Sequence, residues 1–278
     1  MPGLRCLLLF CALLRAGMAA ETRLYINYSP HPPERDLLAS NLCILDLHAQ
    51  ADLQPGHRAG SQFLAYVSLV EVARGSLAEG AARRRGVAFA GRNGDWDSQL
   101  MEVTSAAWKD FVLEDCAAAA FQKGYDGLFL DTLDSLERLD AARRPQARQA
   151  VKGMIAALHE RWPGKKLVVN RGFDLLAEAA SSLSGVLVES VYQGFDPATK
   201  RYRAVDAAGS RWLEARIRAA RKLGLEVYAV DYVNPVLESL AQETAMRLKA
   251  LGCVPLITTP ALSGEVVAPI PARPRHRD

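Results

Sequence analysis

Two carboxylic acids close two short apolar runs: Asp131 in GLFLDT (127–132) and Glu189 in GVLVES (185–190). Each run is a glycine, three or four apolar residues and then an acid. That is the pattern of a parallel strand buried on both faces, whose last side chain emerges at its C-terminal end. Two acids placed this way suit glycosidic cleavage, in which one group protonates the leaving oxygen while a carboxylate meets the positive charge growing on the sugar. Each acid also has a structural alternative, capping the helix after its strand.

Other polar groups fall at the ends of other apolar runs: Asp46, Glu71, Asn170 with Arg171, and Asp231 with Tyr232. Six of eight run ends therefore carry an acid or amide, which suits a pocket for a hydroxyl-rich or cationic ligand. Tyr28, Tyr66, Tyr192 and Tyr232 lie near the same ends, where a ring either stacks on a sugar face or packs with its hydroxyl bonded. The expected cleft lining is Asp46, Tyr66, Glu71, Asp134, Asn170, Tyr192 and Asp231. Asp134 either bonds into the site or caps a helix beginning near Ser135, and the second role is favoured. Trp108 reads as core-facing on its helix and Trp96 as a loop anchor.

The elements that must position these groups are eight strand-like runs: 24–28, 42–48, 63–72, 127–132, 166–170, 185–190, 225–233 and 254–259. Helical apolar spacing fills 106–124, 147–162, 211–224 and 235–252, and Gly124, Gly224 and Gly252 fall where helix C-caps belong. Strand–helix alternation counted to eight predicts an α/β fold, a single-domain (β/α)8 TIM barrel over 21–265. An open doubly wound sheet shares the alternation and is the alternative. Two units are irregular: a short first helix at 34–38, and a long loop expected from Val70 to Thr104.

Residues 1–20 combine an early arginine, an apolar stretch from Leu7 to Leu14 and small residues near Ala19 and Ala20, the pattern of a secretory signal peptide. No other run is long enough to span a bilayer. Loss of Arg5 and Arg15 with this leader lowers the formal charge from +3 to +1, which argues against nucleic acid as partner. Three cysteines remain, Cys43, Cys116 and Cys253, allowing one disulfide at most and matching no zinc spacing. The arginine-rich end, within 266–278, reads as a flexible tail. There is no G-x-S-x-G, P-loop or G-x-G-x-x-G signature, and the five histidines form no H-x-H or H-E-x-x-H pair. No metal or cofactor is expected; Asp46 with His48 on one strand face is the nearest approach to a ligand pair.

The blocks FLAYVSLVEV, WDSQLMEVTSAAW, GYDGLFLDTLDS, VVNRGF and LVESVYQG occur in that order within about 24–259. Together they resemble the glycosidase barrels of family 114 and the related family 166, which includes the hydrolase domain of the Pel polysaccharide system. The resemblance implies retaining, endo-acting hydrolysis of α-1,4-linked galactosamine or N-acetylgalactosamine polymers, and the leader pattern implies that it takes place in the periplasm or outside the cell. It implies Asp131 as nucleophile and Glu189 as acid/base, 58 positions apart. Retention predicts carboxyl groups about 5 to 5.5 Å apart, and inversion a gap above about 6.5 Å. A cationic amino-sugar polymer would be drawn to an acid-rich rim. The rival reading is a barrel that binds such a polymer without cutting it; a third, a metal-dependent deacetylase, would need bound metal.

Overall fold

The computed structural model describes residues 22–268; the expected leader and the residues after 268 lie outside the described residues. Eight parallel strands form one sheet in chain order: β1 (Leu24–Asn27), β2 (Leu42–Asp46), β3 (Gln62–Ser68), β4 (Gly127–Asp131), β5 (Lys166–Asn170), β6 (Gly185–Glu189), β7 (Glu226–Tyr232) and β8 (Val254–Thr258). They are the eight apolar runs of the sequence, and with helices between them they build the nearly closed TIM barrel. The loop after β8 closes the seam beside β1. Tyr28 N–H donates to Leu262 O (2.8 Å) and Asn27 Nδ2 to Ser263 O (3.0 Å). Val266, Val267 and Ala268 pack against the core, and Val267 N–H donates to Ile257 O (2.9 Å). Packing thus continues three residues past 265, where the sequence reading ends the barrel.

Alternation along each strand divides the apolar residues into two layers. Leu24, Ile26, Leu42, Ile44, Leu64, Phe129, Val168, Leu187, Tyr228, Val230 and Leu256 fill the barrel interior. Their neighbours, such as Cys43, Leu45, Phe63, Leu128, Leu130, Val186 and Val188, face the helices. One further step of the inward set reaches Asp46, Tyr66, Asp131, Asn170, Glu189 and Tyr232 at the C-terminal mouth. The glycines that open β4 and β6 are set by strand crossing. A Cβ at Gly127 would lie 2.2 Å from Lys166 O, and one at Gly185 would lie 2.7 Å from Glu226 O.

The helical reading of 106–124 corresponds to one helix in three stretches, Ala106–Asp110, a wider-turned Phe111–Ala117 and Ala118–Gln122. Trp108 on it is fully buried, its indole N–H donating to Leu69 O (2.9 Å). Gly124, Gly224 and Gly252 all take positive φ just past helix ends. The segment 70–104 is not a loop. It holds helix Leu77–Arg84 and an antiparallel sheet of Glu71–Ala73, Ser98–Met101 and Phe89–Asn93. The run 63–72 reads as one strand because Leu69, Val70 and Val72 are all buried, but it breaks after Ser68. There Leu69 N–H donates to Asp131 O and Val70 N–H to Thr132 Oγ1, both at 3.0 Å. Cys43, Cys116 and Cys253 are all buried, and none of the three is bridged to another.

Candidate active site

A cavity of about 800 Å³ opens at the C-terminal mouth of the barrel, where fold geometry gathers strand ends and loops. Asp131, Asn170 and Glu189 line it from β4, β5 and β6. The Asn170 amide nitrogen donates to Asp131 Oδ1 at 2.9 Å and to Glu189 Oε1 at 2.8 Å. Those two lengths cap the separation of the two oxygens at about 5.7 Å. With the amide's two N–H bonds diverging at about 120°, the separation is about 5 Å.

Glu189 is held at three points. Its Oε2 accepts from the Tyr232 hydroxyl (2.5 Å), its Oε1 from Asn170, and its backbone carbonyl from Arg171 Nη1 (2.6 Å). Burial lifts the Glu189 carboxyl above the ordinary glutamic acid range; the nearby Asp131 charge adds to this, and the bonds from Tyr232 and Asn170 only partly offset it. The hydroxyls of Tyr28, Tyr66 and Tyr232 are pushed well above the usual tyrosine value, first by burial and then by the charges of Asp131 or Glu189. They therefore stay protonated and available as donors. Asp131 is followed by Thr132, a non-glycine residue at φ 68°, which is pinned by Ser68 Oγ (2.7 Å) and Val70 N–H.

Asp46, Tyr66, Glu71 and Asp134 line the same cavity. Asp46 Oδ1 accepts from His48 N–H (2.7 Å), and Glu71 Oε2 accepts from Asn93 Nδ2 (3.0 Å). The Asp134 carboxylate is turned to a structural task, though not on its own short helix. It accepts from Arg171 Nε (2.6 Å) and from Gly172 N–H (3.2 Å), the residue that caps helix Phe173–Ala179. Gly172 sits at φ 58°, with Leu133 Cδ2 only 2.6 Å from where a Cβ would be.

Tyr192 and Asp231 do not line the cavity. Asp231 and Tyr232 are consecutive in β7, so their side chains leave opposite faces; Tyr232 takes the inward one. Asp231 is fully buried outside the barrel and accepts three consecutive backbone N–H groups, from Val191 (2.6 Å), Tyr192 (2.8 Å) and Gln193 (2.8 Å). It thereby fixes the turn that follows Glu189. Burial pushes its carboxyl up to about 6 despite those bonds and the Arg247 charge. The Tyr192 ring lies under the Arg247 guanidinium, and its hydroxyl donates to Glu214 Oε1 (3.0 Å).

The cavity is also lined by residues outside the expected set, among them Tyr28, Thr132 and Tyr232. The period-two alternation counted back from Asp131 and Glu189 is the signal that finds both tyrosines and rejects Asp231. Trp96, expected as a loop anchor, is 65% exposed and lines the cavity rim.

The model of glycoside-hydrolase family GH114 matches residues 17–270. The glycoside hydrolase domain of PelA from Pseudomonas aeruginosa is 35% identical, with a TM-score of 0.79 over 89% of this chain and 98% of that one. Ega3 of Aspergillus fumigatus, solved in complex with galactosamine, is 13% identical and shares the fold, with a TM-score of 0.63 over 88% of this chain and 94% of that one. No curated protein matches the chain. With its barrel, its paired acids and a family match over nearly its whole length, the chain belongs to glycoside-hydrolase family GH114 and is a glycosidase.

Proposed function

We propose that the protein is an exported, endo-acting glycosidase that cleaves α-1,4-linked galactosamine and N-acetylgalactosamine polymers with retention of configuration. The observation that carries this reading is the single amide of Asn170 joining Asp131 and Glu189, which keeps two carboxyl oxygens within about 5.7 Å. That spacing suits a nucleophile and an acid/base on either side of one bond better than a pair parted by a water.

Glu189, with its raised pKa, holds the proton that the leaving oxygen needs. Asp131, receiving the Asn170 N–H, is the carboxylate that attacks the anomeric carbon. The glycosidic C–O bond breaks as Glu189 gives up its proton, leaving a glycosyl ester on Asp131. Glu189, now a carboxylate, takes a proton from water, whose oxygen attacks the same carbon and releases Asp131. Asp46 and Glu71 put further carboxylates around the cavity, which favours an amino sugar over a neutral one, while the Asp134 charge is met by Arg171. The galactosamine bound by Ega3 and the family resemblance support the same substrate class and endo-action. Export rests on the leader-like residues 1–20. Among the described residues no helix is long and apolar enough to cross a membrane.

The test is release of reducing ends from a partially deacetylated α-1,4-galactosaminan by the mature protein, Asp131→Asn and Glu189→Gln. Turnover is expected in the parent and is expected to vanish in both folded variants, with polymer binding kept in Glu189→Gln. A β-anomer as the first-formed product would replace retention by inversion.

A further inference from the structure

The sheet inserted after β3 ends in a tight turn that carries Trp96 between strands Phe89–Asn93 and Ser98–Met101. Each of the other tryptophan rings packs on an aromatic neighbour: Trp108 on Phe111, Trp162 on Phe121 and Trp212 on Phe173. Among the described residues, Trp96 has no such partner, and Leu77, 74% exposed, stands on the same cavity rim. An apolar lip left in water beside a cavity that holds the carboxylate pair is a surface a bound ligand would cover.

The turn itself is firmly held. Asp95 is bound by Arg138 Nη2 (2.5 Å). Asp97 Oδ1 takes Arg92 Nη2 (2.6 Å) and Arg74 Nη1 (3.0 Å), and Arg74 N–H donates to Asp97 O (3.0 Å). Asn93 Oδ1 accepts Asp95 N–H (3.1 Å), while the same side chain donates to Glu71 in the cavity wall. Charged partners on both flanks and a tie to the cavity thus fix the backbone, and the ring is the part left free. A ring displayed on a fixed turn loses little freedom when it binds, which is the condition for an efficient anchor. The flat indole matches the C–H face of a pyranose, and the carboxylates of Glu71 and Asp46 that line the same cavity suit an ammonium group.

We propose that Trp96 is the platform of a rim subsite that stacks a galactosamine ring of the polymer away from the bond being cut. The site thereby favours long chains over short ones. This deepens the function proposed above and rests on its substrate class.

The test measures binding in the non-cleaving Glu189→Gln protein, by calorimetry, with an α-1,4-galactosamine hexamer and dimer. Adding Trp96→Ala is expected to weaken hexamer binding about tenfold, to narrow the hexamer-to-dimer preference, and to leave thermal unfolding in place. Trp96→Phe is expected to recover most of the affinity, which loss of a merely structural residue would not predict. Hexamer affinity within twofold of the Glu189→Gln protein after Trp96→Ala overturns the subsite while leaving the hydrolase reading intact. If the Glu189→Gln protein binds neither oligomer and the parent releases no reducing ends, the substrate class fails, and the subsite with it.

Discussion

Replacing Asp231 by asparagine separates a pH-dependent term from everything else in the fold. Asp231 is fully buried and its carboxyl is pushed from 3.8 up to about 6, with Arg247, Tyr192, Glu214 and the Cys253 thiol as the titratable or charged neighbours of its turn. The native state therefore holds this proton more tightly than the unfolded chain does. Its contribution to stability is full below about pH 4 and is lost as pH rises through about 6, an overall change of about 3 kcal/mol. The unfolded aspartate is already partly ionised at pH 4, so about 2 kcal/mol of that change falls between pH 4 and pH 7. Asparagine has no such proton. Its single carbonyl oxygen cannot accept all three N–H groups, and the bond that is lost costs about 1 to 3 kcal/mol at either pH. Urea unfolding of parent and variant at pH 4 and pH 7 gives the difference of differences, in which that constant cost cancels. The variant is expected to gain about 2 kcal/mol relative to the parent on going from pH 4 to pH 7. A difference that stays the same within about 0.5 kcal/mol would refute the reasoning, because burial would then not outweigh the three hydrogen bonds.

Three other perturbations follow from the same geometry. Tyr232→Phe removes a hydrogen bond that lowers the Glu189 pKa, so the basic limb of the kcat/KM profile should move to higher pH; a limb moved to lower pH would contradict the role of Glu189 as acid. Asn170→Ala removes the amide shared by Asp131 and Glu189 and should lower kcat about a hundredfold, with circular dichroism unchanged; a fall below about fivefold would make the bridge incidental. Gly127→Ala forces a Cβ to within 2.2 Å of Lys166 O and should cost about 2 kcal/mol or more in urea unfolding, with no loss if β4 and β5 can part.

The barrel was readable because strands covered on both faces give continuous apolar runs, and all eight survive as β1 to β8. Asp131 and Glu189 were readable because a strand's last inward residue must emerge at the mouth. Asp231 reads as a lining residue on acidity alone, but strand alternation turns it outward, and the inward residue of that pair is Tyr232. The segment 70–104 reads as a loop because its strands are short, at three to five residues, and carry no long apolar run. Glu71 is expected in the lining as the end of the run 63–72 and does line the cavity, but from the first strand of that inserted sheet. The joint tasks of Asn170 and Arg171 are not visible in sequence, for they depend on which oxygens lie within reach across neighbouring strands.

The seam between β8 and β1 makes the finished site depend on segments far apart in the chain. Domains assemble largely from the N-terminus as the ribosome delivers the chain. Here, however, the first strand is zipped to residues 262 and 263, and Val267 ties that loop back to β8. Pro260 and Leu262 of the same loop also line the cavity that holds Asp131 and Glu189. Until that loop docks, the carboxylate pair faces an open trough rather than a walled cleft, so the site is finished only when the two ends of the barrel meet.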